Sequence, residues 1–146
     1  MKKNFFLLLA ITTLALFNGC QRLPERPDGM PELTPCVIEV TFGGEKLSEV
    51  GILLQAKNKG ANAWSAGGKT DAEGKAVMMT AAHYKGVAQG EYVVSFEKFA
   101  PEEMRRDGMP LPAKPLVPLK YSQRQSKETV TVTKEQSVYT FELERL

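Results

Sequence analysis

The sequence predicts an all-β protein, a seven-stranded antiparallel Greek-key β-sandwich. Three observations carry this. Apolar and polar residues alternate at period two through most of residues 36–143. Turn-forming Gly, Asn and Asp punctuate that pattern about every 8–12 residues, the spacing of sandwich strands. No stretch shows a sustained helical period; residues 101–106 hold one or two helical turns at most, with Pro101 opening them and Gly108 closing them.

The strands follow in order. Cys36, Ile38, Val40 and Phe42 alternate with Val37, Glu39 and Thr41, so the first strand buries one face. Gly43-Gly44 supplies the positive φ of a tight hairpin. Val50, Ile52, Leu54 and Ala56 form one face of the second strand, and residues 58–62 a polar loop. Trp64, Ala66, Gly68 and Thr70 share the parity of a third. Asp71-Ala72-Glu73-Gly74 turns into a fourth at residues 75–80. In the fifth, Tyr92, Val94 and Phe96 point inward and Val93, Ser95 and Glu97 outward. Val130 and Val132 alternate with threonines in the sixth. After a turn at residues 133–136, Tyr139, Phe141 and Leu143 line the seventh.

Several of these stretches resemble a known family. Residues 42–50 (Phe-Gly-Gly-Glu-Lys-Leu-Ser-Glu-Val) are similar to the opening hairpin of carboxypeptidase regulatory-like, transthyretin-like domains. Residues 67–76 resemble their "GxTDxxGxa" hairpin and residues 86–94 their "GaxxGeYxV" turn and strand. Lys120-Tyr121 and the closing Thr-rich strands look like small planctomycete-type envelope lipoproteins. The resemblance implies a transthyretin-like or Ig-like sandwich, and on function it says little. Enzymes of that fold family need residues absent here. Hydroxyisourate hydrolases use several histidines and end in Tyr-Arg-Gly-Ser, whereas this chain has one histidine, His83, and ends Glu144-Arg145-Leu146. Intradiol dioxygenases bind iron with two Tyr and two His, which a single His cannot supply.

The amino terminus locates the protein. Lys2-Lys3 precede an apolar run over residues 5–17, then Asn18-Gly19-Cys20. A run of 13 residues, apolar but for Thr12 and Thr13, suits a signal peptide, since a membrane-spanning helix needs roughly 20. The layout resembles a lipoprotein signal, although Phe17 and Asn18 depart from the standard box. The expectation is a signal peptide over residues 1–19, cleavage before Cys20, and acylation of that cysteine with chains such as palmitate. Gln21, rather than Asp, is compatible with sorting to the outer membrane. Residues 20–34 hold Pro24, Pro27 and Pro31 with many charges and little apolar bulk, and read as a lipid-anchored tether of up to about 45 Å at roughly 3.1 Å per residue. The domain then spans residues 35–146.

Composition excludes several roles. Loss of residues 1–19 takes Lys2 and Lys3, leaving 17 basic against 17 acidic residues. No basic stripe remains for a phosphate backbone, so nucleic acid is not an expected partner. Cys36 is then the one cysteine besides the anchor, and no internal disulfide framework exists. No metal, cofactor or catalytic set is expected. His83 has no second histidine near it, Asp71 and Glu73 are explained by turn chemistry, Cys36 has core parity, and Ser65 and Ser95 lack an activating base. The expected role is a non-enzymatic interaction or structural module of the cell envelope, with a protein or glycan partner. The alternative is a carbohydrate-binding surface protein that contacts sugar through Trp64 and Tyr84. The least ordinary stretch is residues 99–120, rich in Pro, with Met104, Arg105, Arg106 and Met109. It reads as an extended segment that either docks a partner or runs along a sandwich edge and protects it.

Overall fold

Alternating side chains bury one face of each strand, and two such faces close on each other as a sandwich. The computed structural model describes residues 25–58, 60 and 63–145; the expected signal peptide and Cys20 lie outside the described residues. The strands are β1 (Leu33–Thr34), β2 (Val37–Phe42), β3 (Glu45–Lys46), β4 (Gly51–Ala56), β5 (Ala66–Lys69), β6 (Lys75–Val77), β7 (Met79–Thr80), β8 (Tyr84–Lys85), β9 (Val87–Ala88), β10 (Gly90–Glu97), β11 (Thr129–Val132) and β12 (Val138–Leu143). One sheet has the order β11-β10-β4-β5-β7-β8. The other has β12-β2-β3, with β6 also paired to β2, and β1 and β9 form a small ladder of their own. The inward residues expected from periodicity make the core: Ile38, Val40, Val50, Leu54, Tyr92, Val94, Phe96, Val132 and Leu143 are all buried.

The seven expected strands are present, with three differences of detail. The fourth is divided. β6 pairs with β2 in one sheet and β7 with β5 in the other. Met78, fully buried between them, donates its N–H to Cys36 O at 2.9 Å and accepts from Gly86 N at 2.9 Å. A strand that changes sheets makes a corner of the sandwich. Gly68 leaves room for this corner, because a Cβ there would lie 2.8 Å from Met78 Sδ. Second, the pairing is antiparallel throughout the two large sheets except between β12 and β2, which run parallel, Tyr139 beside Ile38 and Phe141 beside Val40. The reason is connectivity: β11 ends at the same end of the sandwich where β2 begins, so β12 starts alongside β2 and runs with it. Third, Ser95 sits on the outward parity yet is buried, its Oγ donating to Leu53 O at 3.5 Å; beside it residues 126–128 run along the edge of β10, Ser126 Oγ donating to Val94 O and Val94 N to Glu128 O.

The register fixes two ends. Thr34, Val37, Ala56, Ala66, Gly90 and Val132 lie toward one, called proximal here; Phe42, Gly51, Lys69 and Glu97 lie toward the other, the distal end. Between them β10 spans eight residues, about 26 Å at roughly 3.3 Å per residue.

The proline-rich segment does not stand free over its whole length. From Glu25 onward it lies across the proximal end. Tyr84 Oη donates to Glu25 O at 2.8 Å, Arg26 bonds Pro31 O, Met30 is buried, and Lys134 Nζ meets Glu32 at 2.9 Å. The Lys134 hydrogen bond holds the Glu32 carboxyl below its usual value. β1 then pairs with β9, Leu33 opposite Ala88. Backbone pairing and one buried Met do what the segment's few apolar side chains could not do alone.

Cys36 is buried at the start of β2, and burial pushes its thiol from the usual 9.0 up to about 11. The unfolded chain therefore ionises this thiol first. Its contribution to stability is complete below pH 9 and is lost as the pH rises toward 11. The urea midpoint of the protein should fall more steeply across that window than that of Cys36→Ala, a difference that includes the part of the Tyr92 shift owed to the Cys36 charge. The native thiol should also resist iodoacetamide at pH 8 until the chain is unfolded.

Candidate functional site

Residues 98–116 form a projecting two-stranded arm at the distal end. Leu116 N donates to Lys98 O at 2.8 Å, Ala100 N to Lys114 O at 2.9 Å, Leu111 N to Glu103 O at 2.8 Å and Arg105 N to Met109 O at 2.8 Å. Phe99 is bridged to Pro115 and Met104 to Pro110 in one continuous register. The tip closes through Gly108, whose φ is +77° and whose N–H reaches Arg105 O at 2.9 Å, with Met109 N on Asp107 Oδ1 at 3.1 Å. No helix forms at residues 101–106. Cross-arm hydrogen bonds take the Arg105 N–H and the Glu103 carbonyl, and Gly108 serves the arm's turn instead of a helix stop. Nor does the segment shield a sandwich edge, because every residue from 101 to 116 is exposed.

Its chemistry is unusual for a surface. Met104 is 67 % and Met109 59 % exposed, and Phe99, Leu111 and Leu116 are exposed with them. Proline at alternate positions governs how such a surface can bind. Leu111 turns its N–H inward, so the groups at 110 and 112 face outward, and both residues are proline. At these two positions that edge has no donor to offer another strand. Along that stretch the arm therefore offers side chains and not a strand-pairing edge. At its root Phe42, Leu116, Val117, Leu119 and Arg145 line an apolar groove of about 510 Å³. Arg145 lies over the Phe42 ring at 5.5 Å and bonds Glu45 at 2.7 Å, so its charge is balanced there. The chain then returns to the core through Val117 and Tyr121, the latter in a 3-10 turn at Leu119–Tyr121.

The other flagged residues gather at the proximal end or drop out. Trp64 precedes β5 instead of lying within it, and is half-buried. Tyr84 is half-buried in β8 and carries the hydrogen bond to Glu25. Between β7 and β8, Ala81 and Ala82 both hold left-handed backbone, φ +49° and +61°, where Asn or Gly is the usual choice. Ala82→Gly should raise stability by up to about 1 kcal/mol, measured by urea unfolding. His83 is exposed and packs edge-on to Tyr84 at 6.4 Å. Asp71 Oδ1 accepts from Glu73 N at 3.0 Å and Lys75 N at 2.8 Å, which is turn chemistry. Among the described residues no cluster of three His, Cys, Asp or Glu side chains is placed to hold a metal.

Sequence reasoning singled out the arm's methionines and arginines but missed the root groove. Phe42 ends β2 and Arg145 lies two residues past β12, and only the fold brings them to Pro115 and Leu119. The alternate prolines were the available signal for a strand with a blocked edge.

No protein-family model matches this chain, and no curated protein does. Among solved structures, BcpA, the major pilin subunit of Bacillus cereus, is similar over 76 % of this chain at 15 % identity with a TM-score of 0.36, and a point variant of that pilin at 14 % and 0.36. The chain spans less than a third of the pilin's length, 29 % and 30 % in the two structures.

Proposed function

We propose that the protein is a lipid-anchored component of the bacterial cell envelope, held in the outer membrane through Cys20, whose sandwich is a non-enzymatic interaction or structural module. The observation that carries this reading is the arm. Of the eight exposed large apolar residues among those described, five fall on the arm and a sixth, Leu119, at its root. A soluble surface does not normally gather so many on one projection unless something covers them. The signal-like amino terminus supports the location, and the transthyretin-like motifs are compatible with a binding scaffold.

The test is a photo-crosslinking residue at Met104 or Met109 in living cells, followed by detergent extraction and mass spectrometry. A partner captured from the arm, and lost in Cys20→Ser, is the expected result. Labelling at Met109 no stronger than at Gln89, exposed at the proximal end, would overturn it. A turnover abolished by His83→Ala would overturn the non-enzymatic part. The glycan reading has less support, because Tyr84 already spends its hydroxyl on Glu25 O. Quenching of Trp64 emission by a sugar panel would revive it.

A further inference from the structure

We infer that the proximal end of the sandwich is a membrane-facing surface, seated at the lipid headgroups through Trp64 and Tyr84. This rests on the lipid-anchor reading above. The argument starts from chain length. Tyr84 and β9 hold the amino-terminal segment against the domain from Glu25 onward, and Glu25 follows Cys20 by five residues. Five residues reach at most about 18 Å even when fully extended at roughly 3.6 Å each. An acylated Cys20 lies at the bilayer surface, so the proximal end cannot stand off on a long stalk. This leash is shorter than β10, about 26 Å at roughly 3.3 Å per residue, so the end that carries it faces the lipid.

What that end presents fits an interface. Ala66 opens β5 opposite Leu54 and Thr80, so Trp64, two residues before it, lies in the loop at the proximal end. Tyr84 follows the turn after β7 and holds Glu25, where the leash begins. Trp and Tyr are the side chains that settle at headgroup level, apolar ring inward and polar atom toward water. Electrostatics adds little. Arg26, Lys57, Lys85 and Lys134 are matched by Glu25, Asp28, Glu32, Glu91 and Glu135, and Lys57 and Lys134 are already paired with Glu91 and Glu32. The seat should therefore form on neutral lipid and persist in salt. The arm, at the distal end, points away from the membrane.

Trp64 is the only tryptophan, which makes the test direct. The full lipidated protein is reconstituted into phosphatidylcholine vesicles whose acyl chains carry bromine near the headgroup. Seating at that depth should quench Trp64 emission by roughly half, with a blue shift, at low and high salt alike. A variant with Trp64→Phe and Leu119→Trp moves the indole to the distal end and should stay unquenched. Vesicle-bound protein whose Trp64 is not quenched, or equal quenching from both positions, overturns the proposal while leaving the anchor intact. Protein that carries no acyl chain and fails to pellet with vesicles overturns the anchor reading, and this inference with it.

Discussion

Replacing Phe96 by alanine should cost about 3–5 kcal/mol, the usual loss for a buried aromatic. Phe96 is 1 % exposed near the distal end of β10. Its ring meets Tyr121 edge-on at 6.3 Å and Phe141 at 5.2 Å. It therefore joins the first sheet to β12 of the second and to the turn that follows the arm. A domain of this size holds only about 5–15 kcal/mol in all, so the loss is a large share. Urea unfolding followed by Trp64 fluorescence measures it, and Phe96→Leu should recover most of the difference. A cost under about 1 kcal/mol would mean the aromatic contact is not central to the core.

Gly86→Ala should act on one place and with comparable force. Gly86 has φ +105°, and a Cβ there would stand 2.7 Å from Thr34 O and 3.2 Å from Leu33 Cβ. Gly86 also donates to Met78 O and accepts from Thr80 Oγ1 at 2.8 Å, so it cannot rotate away without breaking the corner. Left-handed backbone alone costs a non-glycine residue about 1–3 kcal/mol. The displaced party is β1, so the ladder between Leu33–Thr34 and Val87–Ala88 should open while the rest of the sandwich holds. Hydrogen exchange at Ala88 and Met30 would show it as a local loss of protection. Opening that ladder lengthens the leash to reach Cys36, and Trp64 should then lose its lipid quenching in the vesicle experiment. Unchanged exchange at both amides would show that Thr34 can yield without releasing β1.

Much of this fold was legible in the sequence because period-two alternation is a direct image of burial. Ile38 and Val40, Ile52 and Leu54, Tyr92 and Val94 all lie where their parity put them. Strands β1, β3, β8 and β9 were not legible, since two residues define no period. The division at Met78 was hidden because Lys75–Val77 and Met79–Thr80 read as one alternating run; only the two partners, β2 and β5, separate them. The direction of β12 was invisible for a similar reason, as a strand's own residues do not state which neighbour it joins. The docking of residues 25–34 rests mainly on carbonyl acceptors and a short ladder, which leave no mark in side-chain composition, and Met30 and Glu32 find their places only in the fold. The arm was half legible. Prolines announced extended backbone, but Pro110 and Pro112 acquire their meaning as a blocked edge only once Glu103 is known to face Leu111.

The parallel pairing of β2 and β12 also decides how this domain responds to force. β2 begins at the proximal end, next to the amino-terminal segment, and β12 finishes at the distal end, beside the arm's root. Tension between an anchored amino terminus and the chain leaving the distal end of β12 would pull these two strands lengthwise past each other. Six register pairs, Val138 with Val37 through Leu143 with Phe42, would then be sheared together instead of peeled apart one at a time. A domain tethered at one end and gripped at the other is, in this connectivity, clamped along its whole length.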